Sequence, residues 1–256
     1  MNIAIITGAS SGLGLEYVRQ ISARENLDEI WVIARRSQRL KQISAMVSTP
    51  LLPMSLDLTN PADIKKLESA LAESKPNVKM LVNAAGVGKM GDYNEISIED
   101  TRNMIELNCR ATVDVTQAVL PYMVTGSSIL LVASSAAFQP LPGFNVYAAS
   151  KAFLLSYSRG LRFELFERQI NVTAVCPYWI KDTEFIGIAR RSKNSSAIRH
   201  FPLASTKRSV VRQSLYDQAL GLAVSTPGII APVQRLAGKL LPSCVTMGAW
   251  EILRRM

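Results

Sequence analysis

Tyr147 and Lys151 stand four residues apart in the run Tyr147-Ala-Ala-Ser-Lys151. On a helix that spacing puts both side chains on one face, within reach of a shared ligand. An ammonium near a phenol favours the phenolate, so the pairing is expected to lower the Tyr147 pKa. Such a phenol can give a proton to a carbonyl oxygen or take one from an alcohol. The same spacing also describes an ordinary surface neighbour pair, so the weight falls on what the rest of the chain places around it.

A second motif lies at the opposite end. Residues 2–6 (NIAII) read as a buried strand, Thr7-Gly8-Ala9-Ser10-Ser11-Gly12-Leu13-Gly14 follows at once, and an amphipathic helix then runs through Leu15, Val18 and Ile21. Strand, glycine-rich turn and helix open a dinucleotide-binding unit. Gly8 allows the tight turn, Gly12 removes a side chain where backbone approaches a pyrophosphate, and Gly14 lets the helix pack close to the strand. The helix N-terminus offers free N–H groups and a positive dipole end to phosphates. The next strand, 29–34, ends in Arg35-Arg36. A guanidinium there suits a 2′-phosphate, where an acidic residue would suit the ribose hydroxyls of NAD. NADP(H) is therefore expected over NAD(H), against the alternative that the arginines open a solvated loop.

With both motifs in view, residues 1 to about 185 resemble the classical short-chain dehydrogenase/reductase family. The glycine turn looks like that family's cofactor turn, including Ser10, Ser11 and Leu13. Asp57-Leu58 looks like its adenine-contacting pair, and Asn83-Ala84-Ala85-Gly86 like the turn after its fourth strand. Asn108 sits where the family carries a helix asparagine. Ser134, Tyr147 and Lys151 match its catalytic serine, tyrosine and lysine. The family's serine lies thirteen residues before the tyrosine, which selects Ser134, with the adjacent Ser135 as the alternative.

The resemblance implies roles. Tyr147 is the general acid in reduction and the base in oxidation. Ser134 donates a hydrogen bond to the substrate oxygen. Lys151 lowers the Tyr147 pKa and bonds the nicotinamide ribose, and Asn108 holds a water in a proton relay, the alternative for Asn108 being a structural kink or cap. The family usually has Pro-Gly after its sixth strand. Here the chain reads Pro177-Tyr178-Trp179-Ile180-Lys181-Asp182-Thr183, with one extra residue before the threonine. Pro177, Ile180 and Thr183 are still expected beside the nicotinamide.

Strands alternate with helices at about 2–6, 29–34, 50–55, 79–84, 127–133 and 169–176, with a short seventh near 222–226. That order argues an α/β fold, a doubly wound parallel sheet of Rossmann type. The length of 256 residues suits a single domain over 1–256, with a substrate lid at about 178–215 and a C-terminal helical segment at 225–256. No run of eighteen apolar residues occurs, and a strand starting at residue 2 leaves no room for a cleavable leader. Cys109, Cys176 and Cys244 are odd in number and widely spaced, as expected for reduced thiols in a cytoplasmic protein. One histidine, His200, cannot build a zinc site or a Ser-His-Asp triad, so no metal is expected.

The net charge of +9 is uneven: residues 1–180 carry 17 Lys+Arg against 16 Asp+Glu, and residues 181–256 carry 12 against 4. Arg190, Arg191, Lys193 and Arg199 form one basic stretch; Lys207, Arg208 and Arg212 form another. Such a field attracts an anionic substrate or an acidic membrane surface, or is simply solvated. The expected pocket wall is greasy: Tyr178, Trp179, Ile180, Phe185, Ile186 and Ile188 from the lid, and Val87, Met90, Leu141 and Phe144 from loops. It suits a lipophilic carbonyl compound, acyl- or steroid-like. No nucleic-acid module is recognisable.

Residues 229–256 read as two short amphipathic helices broken at Pro232 and Pro242, serving as core, subunit interface or weak peripheral membrane contact. The resemblance implies a homo-oligomer, dimer or tetramer, built on helices near 100–120 and 150–168. The favoured function is an NADP(H)-dependent oxidoreductase interconverting ketone or aldehyde and alcohol. The alternative is a non-catalytic NADP(H)-binding sensor or scaffold, which has no need of Ser134, Tyr147 and Lys151 together. A sugar-nucleotide enzyme would need more than the 76 residues that follow position 180.

Overall fold

The structure, a computed structural model, describes residues 1–190 and 203–255. Arg191, Lys193, Arg199 and His200 lie outside the described residues. Seven strands form one parallel sheet: β1 (Asn2–Thr7), β2 (Glu29–Ala34), β3 (Leu51–Ser55), β4 (Asn77–Asn83), β5 (Met123–Val132), β6 (Asn171–Val175) and β7 (Val224–Ser225). Their order is β3-β2-β1-β4-β5-β6-β7. Helices α1 (Gly12–Ser22), α2 (Ser37–Ile43), α3 (Pro61–Ser74), α4 (Ile98–Ile105), α5 (Ala111–Val119) and α6 (Asn145–Glu164) connect them in turn, followed by α7 (Phe185–Ala189) and α8 (Lys207–Ala219). Two helices, α9 (Ile230–Leu240) and α10 (Ser243–Arg255), close the chain.

The central strands are continuous apolar runs because helices cover both faces. Side chains alternate across the sheet. Ile3, Ile5, Leu81, Ile129 and Leu131 pack with α3 and α5 through Leu67, Leu71, Val115 and Val119. Ala4, Ile6, Val82 and Leu130 pack on the other side with Tyr17, Val18 and Ile21 of α1 and Val211 and Leu215 of α8. Each large side chain so buried contributes about 1.5–3 kcal/mol. Local signals agree. Asn60 caps α3 by accepting from Ala62 N at 3.0 Å, Pro61 occupies the first helical position, and Lys75 ends the helix at φ +42°, ahead of Pro76.

The expected strands are all present, with shifted ends. β5 starts four residues before the expected 127, because Met123 pairs with Val78 across a register shift and Ser127 Oγ donates to Val78 O at 2.7 Å. A polar stretch, VTGSS, thereby joins a strand that its composition did not announce. Pro232 does not break α9; it lies in the first turn, where a missing N–H costs nothing. Pro242 does separate α9 from α10.

Candidate active site

The carboxyl ends of β1, β4 and β5 open onto one cleft of about 400 Å³, where the strand order reverses between β1 and β4. Gly8, Ser10, Ser11, Gly12, Leu13 and Gly14 line one end. Gly8 takes φ +67°, and a Cβ there would lie 2.8 Å from Ala84 O. A Cβ on Gly14 would meet Gly8 O at 2.3 Å, so α1 can sit this close to β1 only with glycine. Thr183 lies over the turn, its methyl carbon 3.8 Å from where a Cβ on Gly12 would be.

Arg35, Arg36, Asp57 and Leu58 line the same end. Arg35 Nη1 is 3.8 Å from Asp57 Oδ2. Arg36 reaches back to the turn: Nε donates to Ser10 Oγ at 3.1 Å and Nη2 to Ser11 Oγ at 2.6 Å. Its Nη1 donates to Glu184 Oε2 at 2.9 Å, and Arg39 Nη1 donates to Glu184 Oε1 at 2.6 Å. The two guanidiniums hold the Glu184 carboxyl well below its usual range, at about 2, with Arg39 the larger influence. Sequence reasoning missed Arg39; its signal was the i, i+3 spacing from Arg36 at the start of α2.

At the other end stand Ser134, Tyr147 and Lys151. Ser134 ends the extended run after β5 and begins a tight turn over Ser135–Phe138, its Oγ accepting from Ala136 N at 3.2 Å. Its side chain is the one that favours the ionised form of the Tyr147 phenol, and Ser135 lines the same cleft. The Ser135 amide is spent on Pro177 O at 2.9 Å. Tyr147 and Lys151 lie one turn apart on α6, as the spacing predicts, and both are buried. Lys151 Nζ donates to Val132 O at 2.8 Å and lies 5.6 Å from the Tyr147 ring centroid.

The electrostatics correct one expectation. Burial, opposed by the Ser134 side chain, raises the Tyr147 pKa above its ordinary value. Burial instead lowers the lysine, to about 8. The phenol is therefore a protonated donor at neutral pH.

Asn108 is fully buried in a π-helical turn, Glu106–Arg110, between α4 and α5. That wider turn re-aims a side chain within an otherwise regular helix. Asn108 Oδ1 accepts from Val87 N at 2.9 Å, and Nδ2 donates to Val87 O and Ser150 Oγ, each at 2.9 Å. It does not line the cleft, yet a Cβ on Gly86 would lie 3.1 Å from Asn108 Oδ1 and 3.3 Å from Lys151 Nζ. Asn83 also stays out of the cleft: its Nδ2 donates to Thr116 Oγ1 at 3.0 Å, so its part is to brace the turn whose Ala84 and Gly86 do line it. Pro177 and Ile180 line the cleft, and Ile180 is held by a bridge to Ser205.

Phe144 stacks on Tyr147 with centroids 4.2 Å apart, and Phe185 lies 5.4 Å from Tyr147. Val87, Leu141, Tyr178, Trp179 and Ile188 complete much of the expected apolar wall. Met90 and Ile186 do not line it; Met90 is fully buried in the packing behind. Trp250, from α10, lines the cleft and was not expected there; its Nε1 donates to Pro142 O at 2.9 Å.

The residues fit a phosphorylated dinucleotide. The cradle under Gly8 and Gly14 admits no side chain, and the arginines already grip a carboxylate.

The short chain dehydrogenase family model matches residues 2–194. The NADP-dependent 3-hydroxy acid dehydrogenase YdfG of Escherichia coli (strain K12) is 31% identical over 198 residues, covering 76% of this chain and 79% of its own length. An uncharacterized oxidoreductase of Staphylococcus epidermidis is 31% identical over 177 residues, 68% of this chain and 76% of its own. Among solved structures, a short-chain dehydrogenase from Sphingobium yanoikuyae in complex with NADPH superposes with a TM-score of 0.80 at 29% identity, covering 93% of each chain.

Proposed function

The chain belongs to the short-chain dehydrogenase family, and from that premise we propose that it reduces a lipophilic ketone or aldehyde with NADPH, with Tyr147 as proton donor. It is an oxidoreductase acting on CH–OH groups, and its cofactor is NADP(H). The observation that carries the catalytic reading is that Ser134, Tyr147 and Lys151, the last two one turn apart on α6, line the same cleft as the glycine turn.

When bound, NADPH supplies the hydride. The turn at Gly8–Gly14 and the N-terminus of α1 would bind its diphosphate, and Arg35 and Arg36, which line the cleft, would take its 2′-phosphate, with Arg39 close by on Glu184. Asp57 and Leu58 would hold the adenine, and Ile180 and Thr183 would flank the nicotinamide. Ser134 donates to the carbonyl oxygen and fixes it beside the phenol. The Tyr147 O–H passes its proton to that oxygen as it becomes an alcohol. Lys151 would anchor the ribose, and Asn108, which like Lys151 sits beside Gly86, would hold a water that returns a proton from solvent. The aromatic wall of Phe144, Trp179 and Phe185 suits an acyl or ring-bearing substrate and keeps water from the reacting atoms. The described parts of the expected lid, 178–190 and 203–215, supply the wall residues Tyr178, Trp179, Ile180, Phe185 and Ile188.

A homo-oligomer is supported by Phe153, Phe163 and Phe166, exposed on and just after α6, and by Ile105 of α4. Weak contact with anionic lipid is supported by the exposed row Ile229, Val233, Leu236 and Leu240, with Arg235 and Lys239 beside it. Among the described residues no helix is long and apolar enough to cross a membrane. Three free cysteines suit a reducing compartment such as the cytoplasm.

The test is a panel of ketones graded in chain length and ring size, followed by NADPH absorbance. Turnover that rises with apolar size supports the reading; turnover confined to small polar sugars, or none, overturns it.

A further inference from the structure

Helices α9 and α10 each turn a row of large apolar side chains to the outside. On α9 the row is Val233, Leu236 and Leu240, continued backwards by Ile229, whose backbone is already helical; each is at least 60% exposed. Their spacing puts them on one narrow stripe. On α10, Val245 and Ile252 stand two turns apart on one face, both exposed, and Gly248 and Ala249 between them carry no charge.

Neither row can roll inward, because the opposite face of each helix is fixed to the body. Ala231 of α9 is fully buried, and a Cβ on Gly238 would lie 2.3 Å from Phe138 O, so backbone meets backbone there. On α10, Trp250 lines the cleft and its Nε1 donates to Pro142 O at 2.9 Å. Arg254 donates to Glu251 and pairs with Asp92 at 3.4 Å.

Charge decides what covers the rows. Arg235 and Lys239 are exposed on the flank of the α9 stripe. Residues 229–256 hold four basic residues and one acidic residue, Glu251, which is already bonded to Arg254. Two copies of the chain meeting through this face would set it against itself and crowd its cations without a carboxylate to separate them. An anionic bilayer offers the complement: acyl chains for the apolar rows and headgroup phosphates for the cations. No helix among the described residues is long and apolar enough to cross a membrane, so the pair would lie in the interface plane.

We propose that the outer faces of α9 and α10 dock this protein on an anionic lipid bilayer, and that its substrate enters from that bilayer. Trp250 lies on the inner face of α10 and lines the cleft, so one helix separates the lipid from the substrate end. The substrate class narrows to carbonyl compounds that partition into lipid. The docking half fixes the surface and orientation of the lipid contact put forward above; the entry half rests on the ketone-reductase reading.

The experiment sediments the full-length protein with phosphatidylcholine vesicles, with or without added phosphatidylglycerol, at low and high salt. The wild type is expected to bind the anionic vesicles about twentyfold more tightly, since each of two surface cations gives about fivefold. High salt should remove most of that margin. Leu236→Glu should abolish binding to both vesicle types, and Arg235→Gln with Lys239→Gln should leave weak, equal binding to both. Titration with NADPH confirms that each variant keeps its nucleotide site. Equal binding of the wild type to both vesicle types, or full binding by Leu236→Glu, overturns the docking surface. An oligomer in size-exclusion chromatography that Leu236→Glu dissociates gives the face to a second copy and overturns it too. With anionic vesicles present, kcat/KM for a long-chain 2-alkanone should rise in the wild type and not in Leu236→Glu; a protein that sediments without that rise overturns entry from the bilayer. Absence of any ketone turnover removes the reductase reading, while sedimentation still decides the docking.

Discussion

The Arg36 guanidinium is shared between the glycine turn and the segment that follows β6: it bonds Ser10 and Ser11 on one side and the Glu184 carboxylate, at 2.9 Å, on the other. Arg39 grips the second oxygen of the same carboxylate. Glu184 therefore presents to this arginine pair the charge and the oxygens that a 2′-phosphate would present.

The first prediction follows from that competition. Glu184→Gln should tighten NADPH binding about threefold, in keeping with a half-exposed ion pair, and leave NADH binding unchanged. Arg36→Ala should weaken NADPH about tenfold and NADH by less than about twofold. Fluorescence titration with both nucleotides measures each. Parallel losses for NADPH and NADH would detach Arg36 from the 2′-phosphate.

Tyr147→Phe deletes the proton donor and keeps the ring that stacks on Phe144. It should cut kcat at least about 100-fold, the usual scale for a positioned acid, with NADPH affinity nearly intact. Ser134→Ala should also lower kcat, and Ser135→Ala much less. Single-turnover kinetics with each variant separate binding from chemistry. A fully active Tyr147→Phe would end the assignment.

The pH dependence has a worked sign. Burial lowers the Lys151 pKa to about 8, so the charged ammonium dominates below that value and is lost above it. Tyr147 is shifted upward and does not titrate in this range. The kcat/KM for ketone reduction should be level near neutrality and fall above about pH 8. In Lys151→Arg the falling limb should move to higher pH. The folded state binds this proton less tightly than the unfolded chain, so Lys151 makes the protein more stable as pH rises from about 8 toward 10.5. Denaturant titrations at several pH values check that direction.

Gly14→Ala tests the cradle. The added methyl would sit 2.3 Å from Gly8 O, and both groups are backbone-fixed. The cost should be about 1–3 kcal/mol of stability, read from the urea midpoint. It should come with weaker binding of both nucleotides, because the diphosphate turn itself is displaced. An unshifted midpoint would mean that α1 can slide away from β1.

The sheet and the nucleotide end of the cleft were legible because their signals are local. NIAII and EIWVIA are apolar runs that only a doubly covered strand can bury. Gly8 and Gly14 are required by contacts within one strand–turn–helix unit. Tyr147 and Lys151 share a face through helix geometry alone, so their juxtaposition needed no tertiary information. Arg36 could be assigned to the cofactor from the end of β2, although its grip on Glu184 could not.

Only the tertiary structure decided contacts that join distant parts of the chain and the electrostatics that burial imposes. Arg39 meets Glu184 and Trp250 meets Pro142 because the C-terminal third folds back over the sheet, and no local spacing encodes where that return passes. Asn83 turned inward to Thr116 for the same reason: a neighbouring helix supplied the better partner. The Tyr147 pKa is raised, opposite to the expectation, because desolvation by surrounding residues outweighs the Ser134 side chain that favours the phenolate. Residue types and short spacings determine which groups can do the chemistry; packing fixes which of them meet, and in which charge state they wait.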